Sequence, residues 1–192
     1  MLILASQSPR RKELLSLTGI PFTTMPAETD EVFDPHLSVE ENVAEIALRK
    51  ATAAWNRLPE KRERRIVIGA DTVVVKDGAV LGKPADYDDA VRMLQALQNS
   101  THRVHTGFAL LCASGAICEC VSTTVEFEEM GEEQIRRYLD TVRPFDKAGS
   151  YGIQDPIMAC HVKRIDGCYY NVVGLPVSRL CIALKRLIPG LP

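Results

Sequence analysis

The sequence has no excess of charge of either sign. Its 192 residues include 23 Lys and Arg and 25 Asp and Glu, which give a formal net charge of −2. Proteins that bind nucleic acid or an anionic membrane surface without sequence specificity usually carry a basic excess. We therefore expect neither a nucleic-acid partner nor a membrane partner. Any anion that the protein binds must be held by a local group of side chains.

The sequence also has no long apolar run. A bilayer span needs about 20 consecutive apolar residues, and the apolar start at residues 1–4 is too short even for the core of a signal peptide. These absences predict a cytoplasmic protein. The six cysteines form no CxxC pair and fall mostly in apolar stretches, so we expect reduced core thiols rather than disulfides or a zinc site.

The motifs of two common hydrolase classes are missing as well. There is no GxSxG motif of a serine hydrolase and no HExxH motif of a zinc hydrolase. The histidines have no partner at metal-ligand spacing, so we interpret them as surface residues or as satisfied core residues: His36, His102, His105 and His161.

The predicted elements follow from caps, turns and periodicity. The predicted strands are residues 2–4, 66–75, 79–81, 104–113, 116–127 and 169–173. One helix begins after the cap Ser8 and ends near Gly19, and the others cover 39–55, 87–98, 132–140 and 177–187. A polar loop at 59–65 and a closing segment at 189–192 complete the chain.

This order of elements predicts an α/β fold in one domain, residues 1–192. Helices interleave with strands, and several strand pairs are hairpins, which favours a mixed twisted sheet flanked by helices. The turn-rich segment after residue 143 divides two lobes, and a central cleft between them is the expected ligand site.

The run Ser6-Gln7-Ser8-Pro9-Arg10-Arg11 lies at a predicted strand-to-helix turn. Free backbone N–H groups and the helix dipole favour an anion there, and arginine forks match phosphate oxygens. An ordinary capped helix with solvated arginines explains the spacing equally well. The run is not a Walker loop, because it lacks the glycine spacing and the Gly-Lys ending.

Three further residues carry charge where chemistry is expected. Asp71 interrupts an apolar strand, which indicates a functional carboxylate, although it could instead cap a turn with Thr72. The spacing of Lys50 places it near the apolar face of its helix, and Lys83 lies in a turn before Pro84. Either lysine could equally be an ordinary surface residue.

Two loops complete the set of candidates. Asp30-Glu31 could supply carboxylates to a magnesium ion, although a solvated acidic loop is the simpler interpretation. Residues 146–154 combine charges and glycines, as expected of a loop that closes over a ligand. Within them Gln154 offers a donor and an acceptor to a base edge.

Taken together, these features fall in blocks that resemble the Maf family of nucleotide pyrophosphatases in order and in approximate spacing. The blocks are LASQSPRRKELL at residues 4–15, RKA at 49–51, IGADT at 68–72, GKP at 82–84, DKAGSYGIQ at 146–154 and VGLP at 173–176. The resemblance implies a fold similar to inosine triphosphate pyrophosphatases and a divalent cation, Mg²⁺ or Mn²⁺. It also implies cleavage of nucleoside triphosphates to the monophosphate and pyrophosphate.

The resemblance also implies roles for individual residues. Asp71 matches the proton acceptor, and Asp71 with Glu31 or Asp30 is the expected metal site. Positions associated with substrate choice are Arg10, Thr72 and Gln154, and the triphosphate pocket matches Ser8, Arg11, Lys50 and Lys83.

The ending YGIQ at residues 151–154 is similar to the branch acting on dTTP and UTP. The alternatives are a 7-methyl-GTP pyrophosphatase and a non-catalytic, nucleotide-sensing regulator of cell division. The resemblance suggests a homodimer. The chain has Asp30-Glu31 where some members carry two glutamates, and Asp155-Pro156 follows Gln154 where many members continue with glycine.

Overall fold

The structure is a computed structural model that describes residues 1–59 and 65–188. Most of the predicted loop at 59–65 and the whole predicted closing segment at 189–192 lie outside these described residues. The strands are β1 Leu2–Leu4, β2 Phe22–Thr24, β3 Ile66–Lys76, β4 Ala79–Leu81, β5 Thr101–Cys112, β6 Gly115–Phe127 and β7 Val162–Asp166. The helices are α1 Pro9–Ser16, α2 Val39–Asn56, α3 Tyr87–Leu97, α4 Glu132–Val142, α5 Tyr169–Val173 and α6 Val177–Leu187, with short 3-10 turns at Ala148–Ser150 and Met158–Cys160.

The strands form one sheet in the order β2-β1-β3-β5-β6-β7, with β4 paired to β3. Strand β1 runs parallel to both β2 and β3, whereas β4 is antiparallel to β3 and β7 is antiparallel to β6. The prediction of a mixed sheet flanked by helices is confirmed. Within residues 1–59 and 65–188, no helix has the length and apolar character that a membrane span requires.

Local sequence signals account for most element ends. Ser38 accepts a hydrogen bond from the Glu41 N–H, and the Glu41 carboxylate accepts one from the Ser38 N–H, so the capping box begins α2 as predicted. Asp77 and Gly78 both have positive φ, 49° and 81°, which suits the tight turn between β3 and β4.

The chain divides into two compact units. The first comprises Met1–Asp71, Thr106–Val121 and Gly174–Pro192, and the second comprises Thr72–His105 and Ser122–Val173. The predicted similarity to inosine triphosphate pyrophosphatases and the predicted central cleft stay predictions.

In the first unit, α2 packs directly on the backbone of β3 and β5. A Cβ atom added to Gly69 would lie 2.0 Å from the Ala47 carbonyl oxygen, and one added to Gly107 would lie 2.5 Å from the Val43 carbonyl oxygen. Only glycine allows so close an approach between a helix and a strand. The core beneath α2 is apolar, with Ile3, Val67 and Ala109 among its buried members.

In the second unit, α3 and α4 pack together, and their buried residues Leu94, Leu97 and Leu139 contribute to its core. Tyr138 of α4 is 1% exposed, so its hydroxyl must find partners within the protein. Its partners are Gly152 and Asp155, in the segment that follows α4.

The predicted strand at 169–173 is wrong, because these residues form the short helix α5. The Asn171 side chain is fully buried and donates hydrogen bonds to the Val104 carbonyl and the Thr123 hydroxyl. The Val172 N–H donates to the Cys168 carbonyl, which is a helical bond. These contacts to distant residues override the β propensity of the tyrosines and valines.

Three other predictions need correction. Strands β2 and β7 were not predicted, since both are short and mostly exposed. Helix α1 ends at Ser16, and turn residues then lead to Gly19 at φ 69°. The cysteines are free, but none is buried: Cys118 and Cys160 are exposed and the others are half-buried, because apolar sequence does not guarantee depth.

Candidate active site

Asp71 lies in the middle of β3 and is only 7% exposed. Successive strand residues point to opposite faces of a sheet, so Asp71 shares a face with Gly69, on which α2 packs. The sequence signal of a carboxylate within an apolar strand therefore marks a side chain that points toward a helix. A charge buried there needs a partner of opposite sign.

Lys50 of α2 is that partner. Its Nζ lies 2.6 Å from Asp71 Oδ1, and the lysine is 8% exposed. Lys50 is adjacent along α2 to Ala51, whose backbone lies close to Gly69. The close packing at Gly69 thus brings the ammonium to the carboxylate, which confirms the prediction that Lys50 does not point fully into solvent.

Glu31 also contacts the Lys50 ammonium. Its Oε1 lies 2.6 Å from Lys50 Nζ, and its side chain is 48% exposed. The three side chains, Glu31, Lys50 and Asp71, form what we call the ion cluster. The ion cluster has a buried end at Asp71 and a solvent-exposed end at Glu31, where a ligand can reach it.

The loop that carries Glu31 is tied to α2 by Arg49, a residue to which the sequence assigned no role. Its two terminal guanidinium nitrogens donate to the carbonyls of Asp30 and Val32 at 3.0 Å each, on either side of Glu31. The Asp30 carboxylate instead accepts the Val32 N–H at 3.1 Å. The structure therefore brings Glu31 to the Lys50 ammonium that also contacts Asp71, whereas the Asp30 carboxylate closes a turn with Val32.

The start of α1 carries the predicted phosphate residues in the same unit. The Ser8 hydroxyl accepts the Arg11 N–H at 3.5 Å, which is long beside the usual ~2.9 Å for such a bond. The Ser6 hydroxyl accepts the Ser8 N–H at 3.2 Å. The helix is capped as expected, but its cap bond is weak and Pro9 has no N–H to satisfy, so the helix end still suits an anion.

Arg11 is held in place by the chain segment before α6. Its Nε donates to the Gly174 carbonyl at 2.9 Å. Burial lowers the pKa of Arg11, and the charge of Asp71 acts in the opposite direction, as does that of Glu31. An arginine stays charged in spite of this lowering. Its positive charge therefore interacts with the negative charges of Asp71 and Glu31 in the ion cluster. The positive charge of Arg10 acts on Arg11 as well.

The remaining predicted residues lie in the second unit. Thr72 follows Asp71 in β3 and is half-buried, and Lys83 is exposed in the turn after β4. The Gly149 N–H donates to the Gly82 carbonyl at 3.0 Å, so the Lys83 turn is bonded to the predicted loop at 146–154. Gln154 is exposed near the end of that loop.

The carboxylates of the ion cluster are the candidate metal ligands. The described part of the chain contains no group of three or more His, Cys, Asp and Glu side chains that could hold a metal ion. Asp71 and Glu31, however, already lie on one cation, the Lys50 ammonium. Magnesium is often held by one or two carboxylates together with substrate phosphates, so this donor pair fits it.

His102 contributes to the order of the second unit, and the sequence alone did not show its contact with Tyr151. His102 is 2% exposed, and its Nε2 lies 2.7 Å from the Tyr151 hydroxyl. Burial and, to a smaller extent, the positive charge of Lys76 lower the pKa of His102 to about 4. A histidine alternating with polar residues in a strand gives no signal of this depth. The prediction of a satisfied core histidine holds for Nε2, whereas Nδ1 lacks a hydrogen-bond partner among the described residues.

Comparison with known proteins gives full-length matches. The dTTP/UTP pyrophosphatase of Pelodictyon phaeoclathratiforme is 58% identical over 187 residues, which cover 97% of this chain and 97% of that protein. The dTTP/UTP pyrophosphatase of Chlorobaculum parvum is 57% identical over 188 residues, covering 98% and 94%. That of Caldicellulosiruptor bescii is 46% identical over 188 residues, covering 97% and 94%.

The sequence model of one family, described as Maf-like protein, matches residues 1–187. That match includes the ion cluster, the start of α1, the Lys83 turn and the loop that ends at Gln154. On this match and on the identity to its relatives, the chain belongs to the Maf-like protein family.

Proposed function

We propose that this protein hydrolyses dTTP and UTP to the monophosphate and pyrophosphate. The observation that carries the proposal is the 58% identity over 97% of both chains to a relative named for that activity. The geometry supports it: the buried carboxylate of Asp71 is paired with Lys50, and Arg11 lies in the first turn of α1. A base and positioned cations are the groups that attack on a phosphoanhydride needs.

In the proposed reaction, Asp71 accepts a proton from water as the water oxygen bonds to the α-phosphorus. The bond between that phosphorus and the bridging oxygen to the β-phosphate breaks, and pyrophosphate leaves with the electron pair. Lys50 holds the Asp71 carboxylate at 2.6 Å, so the base is already positioned before substrate binds.

The phosphates are assigned to the cations and to the start of α1. Arg11 and Ser8 lie at the first turn of α1, where backbone N–H groups favour an anion. Lys83 is assigned to the same triphosphate. Positioned cations act most strongly where charge builds up, which here is the departing pyrophosphate.

Asp71 and Glu31 are the residues assigned to a divalent cation, Mg²⁺ or Mn²⁺. Such an ion, when bound, offsets negative charge on the phosphate oxygens. Asp30 is left out of this assignment because its carboxylate closes the turn to Val32.

The choice of nucleotide is assigned to Arg10, Thr72 and Gln154. The Gln154 amide offers both a donor and an acceptor, which is what the edge of uracil or thymine requires. We also propose a cytoplasmic homodimer, and sedimentation of the purified protein tests the dimer.

A substrate panel tests the proposed function. Pyrophosphate release is measured with dTTP, UTP, CTP, 7-methyl-GTP and ITP in the presence of Mg²⁺ or Mn²⁺. We expect the highest kcat/KM for dTTP and UTP. A preference for 7-methyl-GTP would overturn the role of Gln154, and tight binding of dTTP without turnover would indicate a nucleotide sensor instead.

A further inference from the structure

Gln154 lies at the corner of a tight turn. The Asp155 N–H donates to the Gly152 carbonyl at 3.0 Å, which closes a four-residue turn with Gln154 in its third position. Its neighbours Ile153 and Asp155 are 6% and 9% exposed, whereas Gln154 itself is exposed. The turn therefore presents one polar side chain to solvent and buries the residues on either side of it.

One phenol oxygen ties both ends of this turn together. The Gly152 N–H donates to Tyr138 Oη at 3.1 Å, and the Tyr138 hydroxyl donates to Asp155 Oδ2 at 2.7 Å. Burial, and then the bond to Asp155, raises the pKa of Tyr138, so the hydroxyl keeps the proton that it donates. The spacing between the two ends of the turn is thus set by a residue of α4.

The Asp155 carboxylate has two further contacts that fix its position. Lys147 Nζ lies 3.1 Å from Oδ2, and the two side chains are only 13% and 12% exposed. The carboxylate also packs on Gly152, where an added Cβ would lie 2.6 Å from Oδ2. A buried carboxylate with an ion pair and a hydrogen bond has few alternative positions.

The backbone around the turn does not hold this shape by itself. Ser150 and Ile157 have φ of 59° and 72°, a region that costs a side-chain-bearing residue about 1–3 kcal/mol and is especially unusual for isoleucine. Such conformations persist only where surrounding contacts enforce them. The contacts of Asp155 lie between these two strained residues.

We propose that Asp155 and Tyr138 are positioning residues for nucleotide selection, which hold the 152–155 turn so that Gln154 meets the base in one orientation. Both side chains are buried and act through Gln154. The inference rests on the proposed function, because Gln154 needs a base to select.

The test uses the full chain and four variants. Asp155→Ala removes the hydrogen bond to Tyr138 and the ion pair to Lys147, Tyr138→Phe removes the phenol oxygen, and Asp155→Asn keeps an acceptor for Tyr138 but loses the charge. Glu133→Gln, at an exposed position of α4, is the matched control. The values of kcat and KM are measured for dTTP and for CTP with each protein.

We expect Asp155→Ala and Tyr138→Phe to lower the ratio of kcat/KM for dTTP to that for CTP by about tenfold, mainly through KM. Asp155→Asn should recover most of the ratio, and the control should leave it unchanged. A ratio that stays constant while both activities fall would overturn the proposal, since it would show general damage. If Asp155→Ala does not fold, Tyr138→Phe and Asp155→Asn give the same comparison.

Hydrogen exchange of residues 150–156 separates this inference from the proposed function. Exchange there should become faster in Asp155→Ala and Tyr138→Phe, with little change elsewhere. Unchanged exchange overturns the holding role whether or not the protein is active. Inactivity of the unmodified protein on dTTP and UTP would overturn the proposed function itself.

Discussion

Two lysine–carboxylate pairs, one in each unit, are almost equally excluded from solvent and yet differ in use. In Lys50–Asp71 the side chains are 11% and 9% exposed, and in Lys147–Asp155 they are 13% and 12% exposed. The first pair joins a regular helix to a regular strand, whereas the second lies within an irregular segment. The same chemistry positions a reactive group in one place and a backbone turn in the other.

The third partner of each pair explains the difference. Lys50 also contacts Glu31, whose side chain is 48% exposed, so the ion cluster is open to a ligand at one end. In the second pair Lys147 also lies 3.7 Å from the exposed Asp146, but the Asp155 carboxylate itself accepts from Tyr138, which is 1% exposed, so this carboxylate is held by a buried neutral group. We call Lys50–Asp71 the open pair, which suits chemistry, and Lys147–Asp155 the closed pair, which suits a structural role.

The largest expected effect is on catalysis by the open pair. Asp71→Asn keeps the shape of the side chain and removes the proton acceptor, so kcat should fall by about 10²–10⁴-fold while nucleotide binding is retained. Turnover and binding of a non-hydrolysable dTTP analogue are measured in parallel. Near-normal turnover would remove Asp71 from the mechanism.

Breaking the open pair from the lysine side should cost stability. Lys50→Met leaves the Asp71 carboxylate buried and unpaired, which typically destabilises by about 3–5 kcal/mol. Urea denaturation measures the change. Lys163→Met, which breaks the more exposed pair to Glu126, is the control and should cost at most about 1 kcal/mol. Equal losses in the two variants would contradict the burial argument.

The close packing of α2 is the next target. Gly69→Ala places a methyl group 2.0 Å from the Ala47 carbonyl, so α2 must move and draw Lys50 away from Asp71. We expect a loss of about 1–3 kcal/mol and a lower kcat. The stability control is Gly82→Ala, where an added Cβ meets nothing within 4 Å. A stable, fully active Gly69→Ala would refute this account of how the pair is assembled.

The smallest expected effect is a pH dependence in the second unit. Burial lowers the pKa of His102 from 6.5 to about 4, so within that pH window the unfolded chain binds a proton that the folded chain does not. Stability should therefore fall as pH falls, by about 2 kcal/mol between pH 7 and pH 5. His102→Gln should weaken this dependence, and His36→Gln, at an exposed position, should not. Parallel curves for all three proteins would count against it.

The sequence indicated both members of the open pair as candidates, because each breaks a local pattern, but it left a structural alternative open for each. A carboxylate within an apolar strand and a lysine beside the apolar face of a helix can both be recognised from the sequence pattern. The role of Arg49 was not predictable, since its partners are backbone carbonyls about 17–19 residues away and carry no sequence signal. The sequence likewise could not decide between Asp30 and Glu31, because that depends on a turn.

The closed pair was not predictable from the sequence. Its contacts join α4 to a segment without regular structure, and the sequence there shows only turn-forming residues. The wrong strand at 169–173 has a related cause, because buried Asn171 is bonded to residues 48 and 67 positions away. Local patterns thus predicted the regular elements, whereas long-range hydrogen bonds decided the irregular ones.

The central claim is that water attacks the α-phosphorus, and it is tested most directly by finding which product receives the water oxygen. The protein is incubated with dTTP in ¹⁸O-labelled water, and the products are analysed by mass spectrometry. Attack of an Asp71-activated water at the α-phosphorus predicts dTMP that carries the label and pyrophosphate that does not. Label in the pyrophosphate, or release of dTDP and orthophosphate, would contradict the account.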